Sequence, residues 1–100
     1  MNDAIEIITG TTHTATLYYD QDAGDPRKEW DFWGDEDVSA YESGDVFGIV
    51  ITHSESNEHA DSCWGFYGWE YAIESANEML ASAEAHYAAN EFDTYRDVAA

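Results

Sequence analysis

Carboxylates are the side chains whose number and spacing give this sequence its chemistry. Asp and Glu supply 22 of the 100 residues whereas Lys and Arg supply 3, so the formal net charge is −19. Ten of the acids lie between Asp20 and Asp45, and Glu70, Glu74 and Glu78 stand four residues apart. On a helix, this spacing places side chains about 6 Å apart along one face. The sequence therefore predicts two clusters of carboxylates.

The charge fixes the sign of any binding partner. An acidic protein repels nucleic acid and anionic membranes, and it attracts basic surfaces from a distance. About ten base pairs of B-DNA carry roughly twenty charges, which is close to the charge of this chain. Trp33 is flanked by acids, as expected of an aromatic anchor in a protein interface. The residues predicted to bind a basic partner are Asp20, Asp22, Asp25, Asp31, Trp33, Asp35, Glu36, Asp37, Glu70, Glu74 and Glu78.

Nucleophilic catalysis would depend on Cys63, the single cysteine of the sequence. The residues available as its base are His13, His53, His59 and His86. Such catalysis needs a thiol of lowered pKa and a third group that orients the base. A cysteine among aromatic residues is more typical of a small buried hydrophobic side chain. We therefore expect no enzymatic activity.

Metal and cofactor sites are not predicted either. The histidines lack the His-x-x-x-His spacing and the paired cysteines of zinc sites, so they are expected at the surface or its rim. The segment from Asp20 to Asp31 resembles part of a calcium-binding loop, but its glycine, Gly24, stands at position 5 instead of 6. No glycine-rich turn carries a lysine for phosphate. The acidic surroundings of Trp30 and Phe32 disfavour base stacking.

The pattern of apolar residues predicts an α+β fold, an antiparallel sheet of three or four strands with one long C-terminal helix packed on one face. A β-hairpin and a strongly apolar strand are expected first, at Ala4–Thr9 with His13–Tyr19 and at Val46–His53. Further expectations are loops at Asp20–Pro26 and Ser54–Asp61, a short edge strand at Glu29–Trp33, and a helical turn within Asp35–Gly44.

The long helix is predicted after Gly68 from one apolar stripe. Its members step by four and three residues: Trp69, Ile73, Ala76, Leu80, Ala83 and Tyr87. We expect Ile73 and Leu80 to be buried against the sheet. The chain is predicted to form a single domain, residues 1–100. Without an apolar run near twenty residues, and with an acidic start where a signal peptide is basic, it is expected in the cytoplasm of a host cell.

Two segments carry a resemblance to a known family. The segment from Asp25 to Asp31, with Lys28 inserted, resembles the Pro-Arg-Glu-Trp-Asp motif of a family of small uncharacterised proteins carried by phages and plasmids. The segment from Asp61 to Gly68, Asp-Ser-Cys-Trp-Gly-Phe-Tyr-Gly, is similar to a second hallmark of that family. The resemblance implies a mobile-element origin. It also implies that Trp64, Phe66 and Tyr67 fix a strand-to-helix turn into the core.

Two functions remain in competition at the level of sequence. The first is a phage-encoded, anti-CRISPR-like inhibitor that mimics nucleic acid and occupies a basic DNA- or RNA-binding surface of a host defence complex. This hypothesis rests on an analogy with a class of proteins, the acidic anti-CRISPR and anti-restriction proteins of about this size. The alternative is a haloadapted phage or plasmid accessory protein whose acidic surface is solvated and mimics nothing.

Overall fold

A computed structural model shows four antiparallel strands with one long helix across one face, which confirms the predicted α+β fold. The structure describes the backbone of residues 3–99 and the side chains of residues 3–88. The sheet has the order β1-β2-β3-β4, and two short helices lie between β2 and β3. The elements are β1 (Ala4–Thr9), β2 (His13–Tyr19), α1 (Pro26–Glu29), α2 (Asp35–Ser43), β3 (Val46–His53), β4 (His59–Tyr67) and α3 (Trp69–Ala99).

The core lies between α3 and the two central strands. In the β2–β3 ladder Leu17 pairs with Ile49, and both side chains are fully buried. Burying an aliphatic side chain of this size contributes about 1.5–3 kcal/mol. Ala72 and Ala76 are also fully buried, and their small side chains let the helix approach the sheet closely. Of the two helix residues predicted to be buried against the sheet, Leu80 is buried and Ile73 is partly buried against this cluster.

Glu84 joins α3 to the hairpin between β1 and β2. Its Oε2 atom accepts hydrogen bonds from the backbone N–H groups of Thr12, at 2.6 Å, and His13, at 3.0 Å. A Cβ atom at Gly10 would come within 2.6 Å of the same oxygen, so a larger residue there would force the Glu84 carboxylate to shift away from these bonds. Helix α3 is therefore attached to the hairpin through hydrogen bonds to the hairpin backbone as well as through the apolar core.

The segment from Asp61 to Gly68 is placed differently from the prediction. Most of it is strand β4, which begins at His59 inside the predicted loop. Trp64 is 46% exposed and lies outside the core. Its ring packs over Gly48, where it leaves no space for a side chain, and it stacks with Tyr18 at a centroid distance of 6.2 Å.

The prediction for Glu29–Trp33 was wrong, because this segment is the end of α1 followed by a bend. Asp25 initiates α1: its Oδ1 accepts a hydrogen bond from the Arg27 backbone N–H, and Pro26 occupies the first helical turn. The predicted turn at Asp35–Gly44 is confirmed and extends to the nine residues of α2. Gly44 ends α2 in the left-handed conformation, with a φ of 77°.

Two predictions of burial were also wrong. His13, expected at the surface or its rim, is only 4% exposed. Its ring lies edge-on to His53 at 5.2 Å and to Tyr87 at 5.5 Å, at one end of the core. Cys63, expected to be buried, is exposed because β4 is an edge strand.

Candidate functional site

Helix α2 presents three consecutive acids in its first turn, Asp35, Glu36 and Asp37. Gly34 precedes them in an extended conformation, and Asp37 Oδ2 accepts a hydrogen bond from its backbone N–H at 3.0 Å. Negative charge at a helix N-terminus interacts favourably with the unpaired N–H groups there. These acids are therefore stabilised locally, despite the repulsion among them.

Helix α3 presents a second set of acids close to its start. Gly68, with a φ of 103°, turns the chain from β4 into the helix. Glu70 and Glu74 follow one turn apart, with Tyr71 beside them. Side chains separated by four residues lie on one face of a helix. Both glutamates are exposed.

The two sets of acids meet at one concave site, which we call the aromatic groove. Its volume is about 760 Å³. Its walls combine four carboxylates with four aromatic rings: Glu36, Asp37, Glu70 and Glu74 with Trp30, Tyr67, Trp69 and Tyr71, and Gly68 between them. The acid clusters lie more than thirty residues apart in sequence. The fold therefore places parts of both predicted clusters around a single cavity.

The aromatic rings are held in place by the body of the protein. Trp30 meets Tyr67 edge to face, with ring centroids 4.7 Å apart, and the Tyr67 hydroxyl donates a hydrogen bond to the Gly24 carbonyl. Trp69 packs edge-on against the buried Phe47 at 5.1 Å. Each tryptophan nevertheless remains more than one-third exposed. The groove thus has rigid, partly desolvated aromatic walls.

Carboxylates continue on both sides of the groove. A neighbouring hollow of about 460 Å³ shares Glu36 with it and adds Asp35 and Asp45. A hollow of about 420 Å³ on the other side shares Tyr71 and adds Asp61 and Glu78. Together these residues form what we call the acidic band: Asp35, Glu36, Asp37, Asp45, Asp61, Glu70, Glu74 and Glu78.

Other predicted partner-binding residues line none of these three cavities. Asp20 accepts a hydrogen bond from the Asp22 backbone N–H, and both lie in the turn that follows β2. Asp31 is exposed in the bend after α1. Trp33 is 47% exposed on the connection between α1 and α2, and it is not among the residues that line the aromatic groove.

Asp25 is occupied by a structural contact. The Arg27 guanidinium donates to both of its carboxylate oxygens, at 3.0 Å and 2.9 Å. The side-chain hydrogen bond from Arg27 is the main cause that lowers the pKa of Asp25, and the same contact raises the pKa of Arg27. Arg27 also lies 3.9 Å from Glu42. Neither Arg27 nor Lys28 is among the residues that line the three cavities of the acidic band.

The four rings of the groove were not among the sequence-predicted site residues. A local signal was present, since Trp69 and Tyr71 flank Glu70 and Trp30 precedes Asp31. The apolar stripe had assigned Trp69 to the core, and its partial exposure shows that it serves both the core and the groove. Asp45 and Asp61 were not among the predicted partner-binding residues, although Asp45 ends the first predicted cluster, because their place in the band depends on tertiary structure.

Among the described side chains we find no arrangement suited to cysteine catalysis or to metal binding. The hollow beside Cys63 is lined by Asp61, Ser62, Phe66, Tyr71, Ser75, Glu78 and Met79, which include no histidine to act as a base. Among residues 3–88 no three His, Cys, Asp or Glu side chains are arranged to hold a metal ion. No described helix combines the length and apolar character needed to cross a membrane.

The arrangement is suited to binding cations. A carboxylate forms charge-assisted hydrogen bonds with a guanidinium or ammonium group, and the face of a tryptophan attracts the same cation. In the aromatic groove both kinds of group face one cavity.

The chain was compared with protein-family models, with curated proteins and with solved structures. No family model, curated protein or solved structure matches it.

Proposed function

We propose that this chain is a phage-encoded, anti-CRISPR-like inhibitor that mimics nucleic acid. It occupies the basic DNA- or RNA-binding surface of a host defence complex in the host cytoplasm, and it performs no catalysis. The observation that carries the proposal is the meeting of Glu36 and Asp37 with Glu70 and Glu74 around the aromatic groove. The proposed phage origin rests on the resemblance of two segments to a family carried by phages and plasmids, and it remains a prediction.

The spacing of the acids supports mimicry of a phosphate backbone. Glu70, Glu74 and Glu78 advance by about 6 Å per step along α3, because each residue of a helix rises 1.5 Å. A protein surface that binds nucleic acid carries Lys and Arg side chains spaced to meet successive phosphates. Carboxylates at a similar interval can pair with the same cations.

The groove supports recognition beyond general attraction. An arginine that enters it can pair with Glu70 or Glu74 while its guanidinium plane lies against Trp30 or Trp69. Cation–π contacts contribute about 0.5–2 kcal/mol, most where the cation is desolvated. Tryptophan and arginine are also the residues most enriched at interface hot spots. We expect the acidic rim to raise the association rate and the rings to slow dissociation.

The test is displacement of labelled DNA from purified CRISPR surveillance complexes and restriction nucleases at about 0.15 M salt, repeated at higher salt. Wild-type protein should displace the DNA, with an apparent affinity that falls steeply as salt rises. The variant Glu70→Lys with Glu74→Lys should lose at least about tenfold in affinity, since it places like charges against the partner.

A matched control separates the groove from net charge. Glu55→Lys with Glu58→Lys makes the same change in charge at the exposed β3–β4 connection. We expect this control to lose no more than about threefold, through long-range attraction alone. Equal losses in both variants would show unspecific attraction. A wild-type protein that neither binds any of these complexes nor displaces their DNA would refute the proposal.

A second candidate is a haloadapted accessory protein without mimicry. Exposed acids that line none of the three cavities of the acidic band favour it, since Asp22, Asp31, Glu55 and Glu58 lie in connections between helices and strands. Such acids hold a hydrated surface in high salt and need no partner. The two candidates differ in the salt concentration at which the chain folds.

A further inference from the structure

Two rings of the aromatic groove form a corner. Trp30 and Tyr67 both line the groove, and their ring planes meet at 71° with the centroids 4.7 Å apart. Trp69 joins them from the first turn of α3, on the other side of Gly68. Gly68 adopts a φ of 103°, which glycine tolerates best, so the tight turn out of β4 brings Tyr67 and Trp69 to the same cavity. The aromatic walls of this cavity therefore lie in more than one plane.

The walls are in place without a ligand, because each ring rests on another ring. Trp69 packs against the buried Phe47 at 5.1 Å, and Tyr71 packs against Phe66 at 5.6 Å. Trp30 nevertheless remains 36% exposed, Trp69 40% and Tyr71 57%. A ligand that enters the groove therefore contacts open ring surface and needs to order few side chains, which keeps the entropic cost of binding low.

The charge of the groove selects a cation as the ligand. Glu36, Asp37, Glu70 and Glu74 all line it. Arg27 and Lys28, the cations whose side chains the structure describes, are not among the lining residues. The carboxylates are therefore left without a basic neighbour in the groove. They repel any ligand that carries a carboxylate or phosphate group of its own.

The rings decide which kind of cation gains most from the groove. A guanidinium or primary ammonium group donates N–H bonds, and it can pair with carboxylates anywhere along the acidic band. A quaternary ammonium group has no N–H to donate and takes its stabilisation from ring faces. Such a cation is rounded, so it can contact both rings in the corner of Trp30 and Tyr67. A planar guanidinium can lie flat against only one of them.

We propose that the aromatic groove binds the quaternary ammonium group of a small molecule, of which choline is the simplest example. Rings that enclose such a cation are its usual mode of recognition in proteins. The volume of about 760 Å³ lies within the range of small-molecule sites and leaves room for a short neutral tail beside the cation. The nearby carboxylates add long-range attraction.

Isothermal titration calorimetry of the full chain with choline chloride tests the proposal, at a constant ionic strength of about 0.15 M. Choline should bind with a dissociation constant of about 0.1–1 mM. The neutral analogue in which carbon replaces nitrogen has the same shape, and it should bind at least about tenfold more weakly because the cation–π attraction is lost. Ethanolamine keeps the charge but carries N–H groups, and it should bind at least about threefold more weakly.

Variants of the rings locate the site. Trp30→Leu removes one wall of the corner and keeps an apolar side chain, so it should weaken choline binding at least about fivefold. The matched control is Trp33→Leu, because Trp33 is 47% exposed and does not line the groove. It should change binding by less than about twofold. Circular dichroism checks the folding of each variant, and Tyr71→Leu replaces Trp30→Leu if the latter is unfolded.

Three results would overturn the proposal. The first is equal binding of choline and its neutral analogue, or no binding of either. The second is a set of folded variants at Trp30 and Tyr71 that bind choline like the wild type. The third concerns the source of the cation: a trimethyl-lysine peptide that binds at least about tenfold more tightly than choline would assign the groove to a protein side chain.

The proposal does not rest on the inhibitor function. A chain that binds choline and displaces no DNA would support the ligand site and refute the inhibitor. A chain that displaces DNA and does not bind choline would do the reverse.

Discussion

At the scale of single residues, Glu84 shows how one acid of a strongly acidic chain becomes structural. Its carboxylate accepts hydrogen bonds from the Thr12 and His13 backbone N–H groups. These bonds, that from Thr12 first, hold the pKa of Glu84 below its ordinary value of 4.5. Because the folded-state pKa is lowered, the stabilisation is fully present above pH 4.5 and is lost as pH falls through the folded-state value.

We therefore predict that Glu84→Ala lowers the free energy of unfolding at pH 7 by about 1.5–3 kcal/mol relative to Glu78→Ala, since hydrogen bonds to charged groups contribute in this range. The comparison with Glu78, an exposed acid on the same helix, cancels the relief of repulsion that either substitution brings. Urea unfolding at pH 7 and at about pH 3 measures both differences. The gap should narrow at the lower pH. If the difference in unfolding free energy between the two variants is the same at about pH 3 as at pH 7, the effect of Glu84→Ala is due to packing and not to the charged hydrogen bonds.

At the scale of elements, α3 is attached to the sheet through few large side chains. Leu80 is 7% exposed and packs in the cluster that contains Leu17 and Ile51. We predict that Leu80→Ala lowers the free energy of unfolding by about 2–5 kcal/mol, through lost burial and the cavity that remains. Asn77→Ala, at an exposed position one turn earlier, should change it by less than about 1 kcal/mol. Similar small losses in both variants would contradict the packing of α3 described above.

The elements that the sequence predicted are those with an unambiguous period. The four-and-three spacing of Ile73, Ala76 and Leu80 fits only a helix, and the apolar run Val46–His53 fits a covered strand. Strand β4 was missed because Gly65 within it and Gly68 directly after it interrupt the apolar pattern; both adopt positive φ. Helix α1 was missed although Asp25 followed by Pro26 is a helix-start signal, which in a run rich in Asp and Gly was interpreted as loop.

The candidate site was predictable as composition but not as geometry. Both acid clusters were visible in the sequence, since each is dense within its own segment. Their meeting around one groove depends on where α2 lies relative to the first turn of α3, which no local pattern encodes. The exposure of Trp64 likewise follows from the ladder register that places it over Gly48. Tertiary placement decided both outcomes.

At the scale of the whole molecule, the charge of −19 makes stability depend on salt. Arg27 forms ion pairs with Asp25 and Glu42, but Lys and Arg together number 3 against 22 acids, so repulsion among the acids is largely uncompensated. The Debye length falls from about 10 Å at 0.1 M salt to about 3 Å at 1 M, which screens this repulsion. The free energy of unfolding should therefore rise with salt for either candidate function.

The two candidates differ at low salt. A mimic must be folded at about 0.15 M salt, where it meets its target, whereas a haloadapted protein is expected to need molar salt. We predict a folded protein at the lower concentration. Circular dichroism and urea unfolding across this range provide the measurement. Loss of structure at 0.15 M would refute the mimic and favour the haloadapted protein.

The connection between the central strands determines the order in which the sheet assembles. Residues 10–12 join β1 to β2 and residues 54–58 join β3 to β4, but residues 20–45 separate β2 from β3. Closing a loop of that length costs about 2 kcal/mol more than closing the first one, by the logarithmic dependence of closure entropy on length. The two local hairpins should therefore form early, and the central ladder that carries α1 and α2 should close after them.

The acidic helix α2 would then form after the transition state of folding. Gly44→Ala strains its left-handed C-cap at a position with open space around it, at a cost of about 1–2 kcal/mol. Stopped-flow measurements should show this cost almost wholly as faster unfolding, with the folding rate nearly unchanged. Much slower folding would instead place α2 in the nucleus. Substitutions in α2, which supplies two of the four carboxylates of the groove, would thus alter how long the folded state lasts and leave the speed of folding nearly unchanged.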